Sequence, residues 1–439
     1  MMLMGKATGA TALAMVLLVA ACGDGKDPLP GQRLDIRDGL ITAPRGEVNQ
    51  SRPITLGAAA ANADWTHPGG AADHDLGHVA LGGALQPVFR TAIGEGDSRQ
   101  ARITADPVVA GGRIFTMDAR SLVSAVGQDG ALLWQADVKP NAVYRGAASG
   151  GGLATDGKVV YVTTGYGRTH ALDAATGASL WVQDMDAPGA AAPTVANNLV
   201  YVTSRDSRAW VLDAATGRVR WQINGTPSAT TIDGGAGAAV SGGKVVLPFP
   251  SGEIVGAYAA GGMRLWSQII AGARLGHAGG VGATDITGGP VIAGGVGYAA
   301  NAGGRIAAVD IESGNRLWTA SEGASSGLSV IGGSVFFVND INELLRLNAA
   351  DGSVIWRQPL ADYIDSGSER NTRVAHFGPV MAGGRLVIAG SDGVIRQFDP
   401  TNGASLGEVA LPGGAAAKPA VAGQTLYIVT KDGALAAFR

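Results

Sequence analysis

The chain has 439 residues, 46% hydrophobic and 16% charged, with a net charge of −3 at pH 7 and no run of Lys or Arg. Nucleic-acid binding draws on a concentrated basic face, so that class of partner is excluded. The length exceeds one ordinary core and leaves either two domains or a repeat architecture; glycine, at 69 residues, is about twice its usual share of roughly 7% and points to many tight turns.

Residues 1–21 read as a secretory signal peptide, with Lys6 as the positive n-region and Ala12 to Ala20 as an apolar stretch too short to span a bilayer comfortably. Val19, Ala20 and Ala21 precede Cys22 as small residues precede the lipidated cysteine of a bacterial lipobox. Cys22 is the only cysteine, so it cannot close an intrachain disulfide in an exported chain, and lipidation is the use that fits its position. Acyl chains there would contribute about 0.8 kcal/mol per buried methylene and hold the mature protein on a membrane without crossing it. Residues 22–62 have the Pro, Gly, Asp and Arg content of a flexible tether, with an expected reach of about 35 Å.

Residues 63–439 carry one recurring pattern. Its clearest copies are Ala171 to Trp181 (ALDAATGASLW) and Val211 to Trp221 (VLDAATGRVRW); weaker copies end at Trp134, Trp266, Trp318 and Trp356, and a seventh, beginning at Gln397, has lost its Trp. Ahead of each copy lies an alternating β-branched run (RIFTM, VVYVTTG, LVYVTSR, VVLPFPS, VGYAANA, VFFVNDI, LVIAGSD), with an eighth, LYIVTKD, near the C-terminus. Each unit reads as strand, hairpin, strand, DxxTG turn and strand, with a further short strand around Ala192 to Val195 or Gly289 to Ile292. The expectation is an all-β, eight-bladed propeller of four-stranded antiparallel blades. Asp173 and Asp213 suit Asx-type turns, Gly177 and Gly217 positive φ, and Trp181 and Trp221 a neighbouring blade. A closed ring must cover its last blade, and residues near Trp65 are expected to supply the missing outer strand.

His74 and His78, in HDLGH, have the i, i+4 spacing of paired zinc ligands. Gly77 lies inside the motif and Asp75 stands where a metalloprotease has its glutamate, so a surface loop is expected and no metal. His67, His170, His277 and His376 share no spacing, and no phosphate loop or nucleophile triad stands out.

The DxxTGxxxW repeats resemble those of pyrroloquinoline-quinone-dependent dehydrogenases, which are exported eight-bladed propellers. In that family the cofactor stacks on a disulfide of adjacent cysteines and calcium is held by acidic and amide side chains. Cys22 alone cannot form that disulfide, so the resemblance speaks for the fold, and the expectation is no cofactor and no catalysis.

The Cys22 lipobox, the eight blades and the stretches Val335 to Trp356 and Thr430 to Arg439 resemble a second family, the BamB lipoprotein subunit of the bacterial outer-membrane barrel assembly machinery. The resemblance runs from about Trp65 to Arg439. It implies a lipid anchor at the periplasmic face of the outer membrane and a scaffold that binds the POTRA domains of the barrel-forming subunit and assists insertion of β-barrel proteins; a propeller serving another envelope protein is the next reading. In the family one docking loop holds an Asp-Val-Asp run, matched here by Asp285 with Thr287 in place of the second acid. The other, a Leu-Ser-Leu-Arg loop, falls at Ala229 to Asp233, where Ile232 and Asp233 remain and the leucines and arginine are absent.

Spacing points to the same region, because the Trp interval stretches from 40 residues (Trp181 to Trp221) to 52 (Trp266 to Trp318), with the excess around Ala271 to Thr287. Arg274 and Asp285 are expected to face the partner, so that charge reversal at both weakens binding without changing thermal stability. Asp362 to Arg373 is a second polar loop of the same kind.

Overall fold

All eight β-branched runs are strands, and each is the second strand of its own four-stranded antiparallel sheet. The computed structural model describes residues 49–75, 77–140, 148–232, 234–272, 274, 284–364 and 371–439. The signal peptide, Cys22, the first part of the tether, Asp233 and most of the Ala271 to Thr287 loop lie outside the described residues.

Strands are named A to D from hub to rim. Blades 1 to 7 span residues 108–137, 151–184, 194–224, 239–269, 286–320, 329–359 and 376–410. Blade 8 takes strands A to C from Ala420–Ala422, Thr425–Thr430 and Ala434–Phe438 and strand D from Pro87–Ala92. Burial follows the layering: B and C strands are almost wholly buried, whereas the D strands of blades 1, 2, 7 and 8 alternate between exposed and half-buried positions and those of blades 5 and 6 bury Trp318 and Trp356.

The repeat pattern forms the joint between blades. In the C–D turn of blade 2 the Asp173 carboxylate accepts bonds from Thr176 N and Oγ1, both at 2.8 Å, which hold its pKa below the usual range. Gly177 follows at φ 74° and lies so close to Trp134 of blade 1 that a Cβ there would sit 2.6 Å from the ring. Gly217 meets Trp181 in the same way. Each indole also donates into the following blade: Trp134 to Ala174 O (3.2 Å), Trp181 to Ala214 O (2.9 Å) and Trp318 to Ala349 O (2.9 Å). One sheet cannot cover its own apolar face, and the Trp–Gly contact sets how neighbouring sheets stack.

Ring closure departs from the expectation in its address. The outer strand of blade 8 is Pro87–Ala92, antiparallel to Ala434–Phe438, and does not come from the neighbourhood of Trp65. Phe89 stands in blade 8 where Trp134 and Trp181 stand in blades 1 and 2, packing 6.4 Å from Tyr427 and against Gly130 of blade 1. Trp65 is 3% exposed and pairs with Val109 at the hub edge of blade 1.

HDLGH is likewise no surface loop. The segment from Asn62 to Val79 rings the hub at the end formed by the A–B turns and bonds to the blades in succession. Asn62 holds Val421 O of blade 8 (2.6 Å); Trp65, Thr66 and His67 meet Val109, Thr155 and Val195 of blades 1 to 3. Ala72 and Asp73 carbonyls accept from Val240 and Ile292 of blades 4 and 5, and Val79 bonds Met381 O of blade 7. The chain is already docked upstream of this strap, since Gln50 and Arg52 bond Ile355 O and Thr401 O and Ile54 and Leu56 pack on the core of blades 6 and 7.

Candidate functional site

The D–A connectors and B–C turns share the end of the wheel opposite the strap, and most of the sequence-selected residues lie there. Asp285 is 6% exposed and its carboxylate accepts from the backbone N of Ile232, tying the connector that enters blade 4 to the one that enters blade 5. Burial pushes its pKa up to about 6, against the lowering effects of that bond and of Arg205. Thr287 donates to Ala324 O at 2.5 Å. Ile232 remains 37% exposed.

Arg274 does not face outward. Its side chain reaches across blade 5 to Asp340 in the B–C turn of blade 6 (2.8 and 3.1 Å) and to Glu322 in the connector between them (2.5 Å). Arg357 bridges Glu322 (3.2 Å) and Glu343 (3.0 Å), and Arg373, from the Asp362 to Arg373 loop, donates to Asp340 O (2.6 Å). Burial alone would lower the pKa of Arg274, but its bonds to Asp340 and Glu322 outweigh burial and raise it; Asp340 is lowered by the same contacts. The expectation that charge reversal at Arg274 and Asp285 spares stability is therefore corrected: Asp285 is buried, Arg274 is half-buried, and both side chains are bonded inside the chain. They hold connectors in place, and exposed side chains beside them among the described residues include Ile232 and Tyr363, the latter 62% exposed at an isolated antiparallel bridge to Arg373. Glu322, Asp340 and Arg357 were not singled out in the sequence, because each sits inside an ordinary repeat unit and acquires partners only when three connectors converge.

The hub holds the second cluster of polar groups. The cavity on its axis, about 90 Å³, is bounded by the strap residues Trp65, His74 and Asp75 and by Asp106, Leu328 and Lys418. Lys418 pairs with Asp106 through its backbone N (2.8 Å) and its ammonium (3.4 Å), although burial still raises the Asp106 pKa. His74 Nδ1 bonds Pro290 O at 2.8 Å while its Nε2 is buried without a hydrogen-bond partner. Burial lowers His67 to about 3 and His74 to about 4, and raises Asp75, with help from Asp73, to about 6.

These shifts give the acid limb of stability a sign. The unfolded chain binds protons on both histidines from pH 6.5 downward whereas the fold resists until about pH 4 for His74 and 3 for His67, so their contribution is complete above 6.5 and lost as pH falls. Asp75 and Asp285 act oppositely, losing stability as pH rises from 3.8 to about 6, and offset the histidines across that window. Below about pH 4 the His67 cost still grows, and the carboxylates held low, Asp173 and Asp340 among them, begin to lose their contribution as well. Unfolding midpoints are expected to fall from pH 7 to pH 5, because the histidines begin to charge near 6.5, before Asp75 and Asp285 compensate at about 6, and His67→Gln is expected to flatten that fall; an equal fall in the variant counts against the histidines.

The hub does not suit a pyrroloquinoline quinone. That cofactor is a tricarboxylate, and the cation bordering the cavity among the described residues, Lys418, is already paired with Asp106 while Asp75 adds further negative charge. Among the described residues no group of three or more His, Cys, Asp or Glu is placed to hold a metal.

Comparison with known proteins follows the same division between fold and site. A family described as outer membrane protein assembly factor BamB matches residues 119–358 and 347–439. The BamB proteins of Yersinia pestis and Salmonella typhimurium are 25% and 27% identical over 342 and 358 residues, covering 76% and 79% of this chain and 83% and 86% of the relatives. The crystal structure of BamB from Moraxella catarrhalis superposes with a TM-score of 0.62 at 19% identity, over 81% of this chain and 98% of that one. The quinohemoprotein alcohol dehydrogenase of Comamonas testosteroni reaches a TM-score of 0.64 at 14% identity, over 87% and 81%, so the wheel is shared with quinoproteins. With the family match extending over more than half of its length, the chain belongs to the outer membrane protein assembly factor BamB family.

Proposed function

We propose that this protein is a non-enzymatic scaffold of outer-membrane protein assembly. It is anchored through Cys22 at the periplasmic face of the outer membrane, binds the POTRA region of the barrel-forming subunit, and assists insertion of β-barrel proteins. The observation that carries the reading is the linkage of connectors on one face: Asp285 fastens Ile232, and Arg274, Glu322 and Asp340 fasten the loops from blade 4 to blade 7. A platform organised before its partner arrives loses little conformational freedom on docking. In this reading Ile232 and the adjacent Asp233 touch the partner, while Asp285, Thr287 and Arg274 position the loops.

Binding of the purified POTRA region to the intact chain tests it. Ile232→Asp places a charge at an exposed apolar position, so it is expected to weaken affinity about tenfold with an unchanged melting temperature. Undiminished binding by Ile232→Asp would remove this face from the interface.

A further inference from the structure

We propose that the groove between blades 3 and 4, where their A–B and C–D turns meet, is a docking site for an extended peptide segment of another protein. It encloses about 500 Å³ between Asn197, Arg220 and Trp221 of blade 3 and Ala260 and Gly261 of blade 4, within the range of ligand sites. It lies at the end of the wheel opposite the connectors, so a peptide there leaves the face around Ile232 free. The matching groove between blades 6 and 7 holds a segment of this same chain, bound with the alternation of an extended strand. Gln50 N donates to Ile355 O (3.0 Å) and Arg52 N to Thr401 O (3.2 Å). Arg346 donates to the carbonyls of Arg52 (2.5 Å) and Pro53 (3.3 Å), and Ile54 lies so close to Gly332 that a Cβ there would sit 2.6 Å from it.

The repeat places the same contact points between blades 3 and 4. Arg220 precedes Trp221 in its bulge as Ile355 precedes Trp356, and Asn197 opens its A–B turn as Gly332 opens that of blade 6. Ala260 lies two residues before Gly262, which packs on Trp221, as Thr401 lies two before Gly403, which packs on Trp356. Ile355 is 4% exposed beside the docked segment, whereas the Arg220 side chain is 59% exposed. The A–B turn of every other blade contains glycine; blade 3 has Asn197 and Asn198, at φ 52° and 61°, both exposed and with neither side-chain amide bonded within the chain. Arg220 uses one N–H on Asp213 (2.8 Å) and keeps others for peptide carbonyls, the part Arg346 plays between blades 6 and 7. The Ala260 carbonyl accepts from Trp221 Nε1 at 3.2 Å and has a second lone pair for a peptide N–H. A carboxamide at Asn197 in place of glycine selects a polar side chain where Ile54 sits in the other groove, and the Arg220 guanidinium disfavours a cation where Arg52 sits.

The test uses the full chain and, as probe, a synthetic peptide of residues 49–56 carrying Arg52→Gln and Ile54→Asn; the control is the same peptide N-methylated at positions 50 and 52, which keeps every side chain and removes the two donors. The probe is expected to bind saturably and to move the side-chain amide resonances of Asn197 and Asn198, and the control to bind about tenfold more weakly. Asn197→Gly, which restores the glycine of the other blades, is expected to raise the probe's dissociation constant about fivefold. Gly261→Phe is expected to abolish binding by filling the groove with an unchanged melting temperature, since a Cβ at this exposed position meets nothing within 4 Å. Equal binding of probe and control, or a response of the two amides to a neutral oligosaccharide and not to the peptide, would overturn the assignment. Binding that survives Gly261→Phe would overturn it as well, because the peptide would then be displacing residues 49–56 from blades 6 and 7.

Discussion

Deleting residues 49–92 is expected to abolish the single cooperative unfolding transition. The deletion removes Pro87–Ala92, which leaves blade 8 with three strands and opens the edge of Ala434–Phe438 along its full length. An unpaired edge of that kind recruits other chains, so self-association should accompany the loss of cooperativity. The same deletion takes away the strap, whose bonds reach blades 8, 1, 2, 3, 4, 5 and 7 in turn, and strips the cover from Val109 and Val421, both 0% exposed. Fluorescence-monitored urea unfolding together with size-exclusion chromatography reads both effects. Phe89→Ala makes a graded comparison: it keeps the backbone pairing but loses the aromatic contact with Tyr427, with an expected cost of about 2 kcal/mol. A deleted chain that stays monomeric and melts in one sharp transition would mean that the ring closes without its N-terminal strand.

Arg274→Ala is expected to destabilise the chain by about 3 to 5 kcal/mol. Truncation leaves Asp340, whose side chain is 12% exposed, without an ion-pair partner and Glu322, 7% exposed, with Arg357 alone, and a buried charge that loses its partner is far more costly than a surface pair. Arg168→Ala supplies the contrast, since the Arg168–Asp184 pair is 36% and 67% exposed and should change stability by less than about 1 kcal/mol. Replacing Asp340 by Asn in the Arg274→Ala background should recover part of the loss, because the charge left unpaired is then removed. Denaturant midpoints at fixed pH check all three variants. Equal small effects at Arg274 and Arg168 would show the connectors to be loose. The size of the expected effect also bears on binding experiments: lost partner affinity in an Arg274 variant reports disordered connectors as readily as a lost contact, which is why Ile232 is the cleaner probe.

Much of the wheel was legible in the residues because its joints are local. Asp173, Thr176, Gly177 and Trp181 lie within nine positions, and the turn, the positive φ and the ring contact recur with each copy. The β-branched runs give the B strands for the same reason, as period-two patterning is a property of a few neighbouring residues. What stayed hidden depends on distance in the chain. Pro87–Ala92 has Phe89 where the outer strands of blades 1 to 6 carry Trp, so the repeat does not announce it, and Trp65 offered a better match to the pattern with a different role. The strap has no periodicity because its order comes from backbone groups of seven blades, which is also why HDLGH looked like a free loop. Arg274 looked like a contact residue because a charged side chain on a long connector is usually solvated; its acids, Glu322 and Asp340, lie 48 and 66 positions away.

Photo-crosslinking to the POTRA region from three positions decides most directly whether the connector face is the docking platform. A photoreactive residue at Ile232 or Tyr363 samples that face, and one at His78 samples the opposite, strap-covered end, where His78 accepts from Gly384 N at 2.8 Å. Crosslinks are expected from positions 232 and 363 and not from 78. Crosslinks confined to position 78 would contradict the account, because the partner would then sit over the strap and the network around Arg274 would have no part in docking.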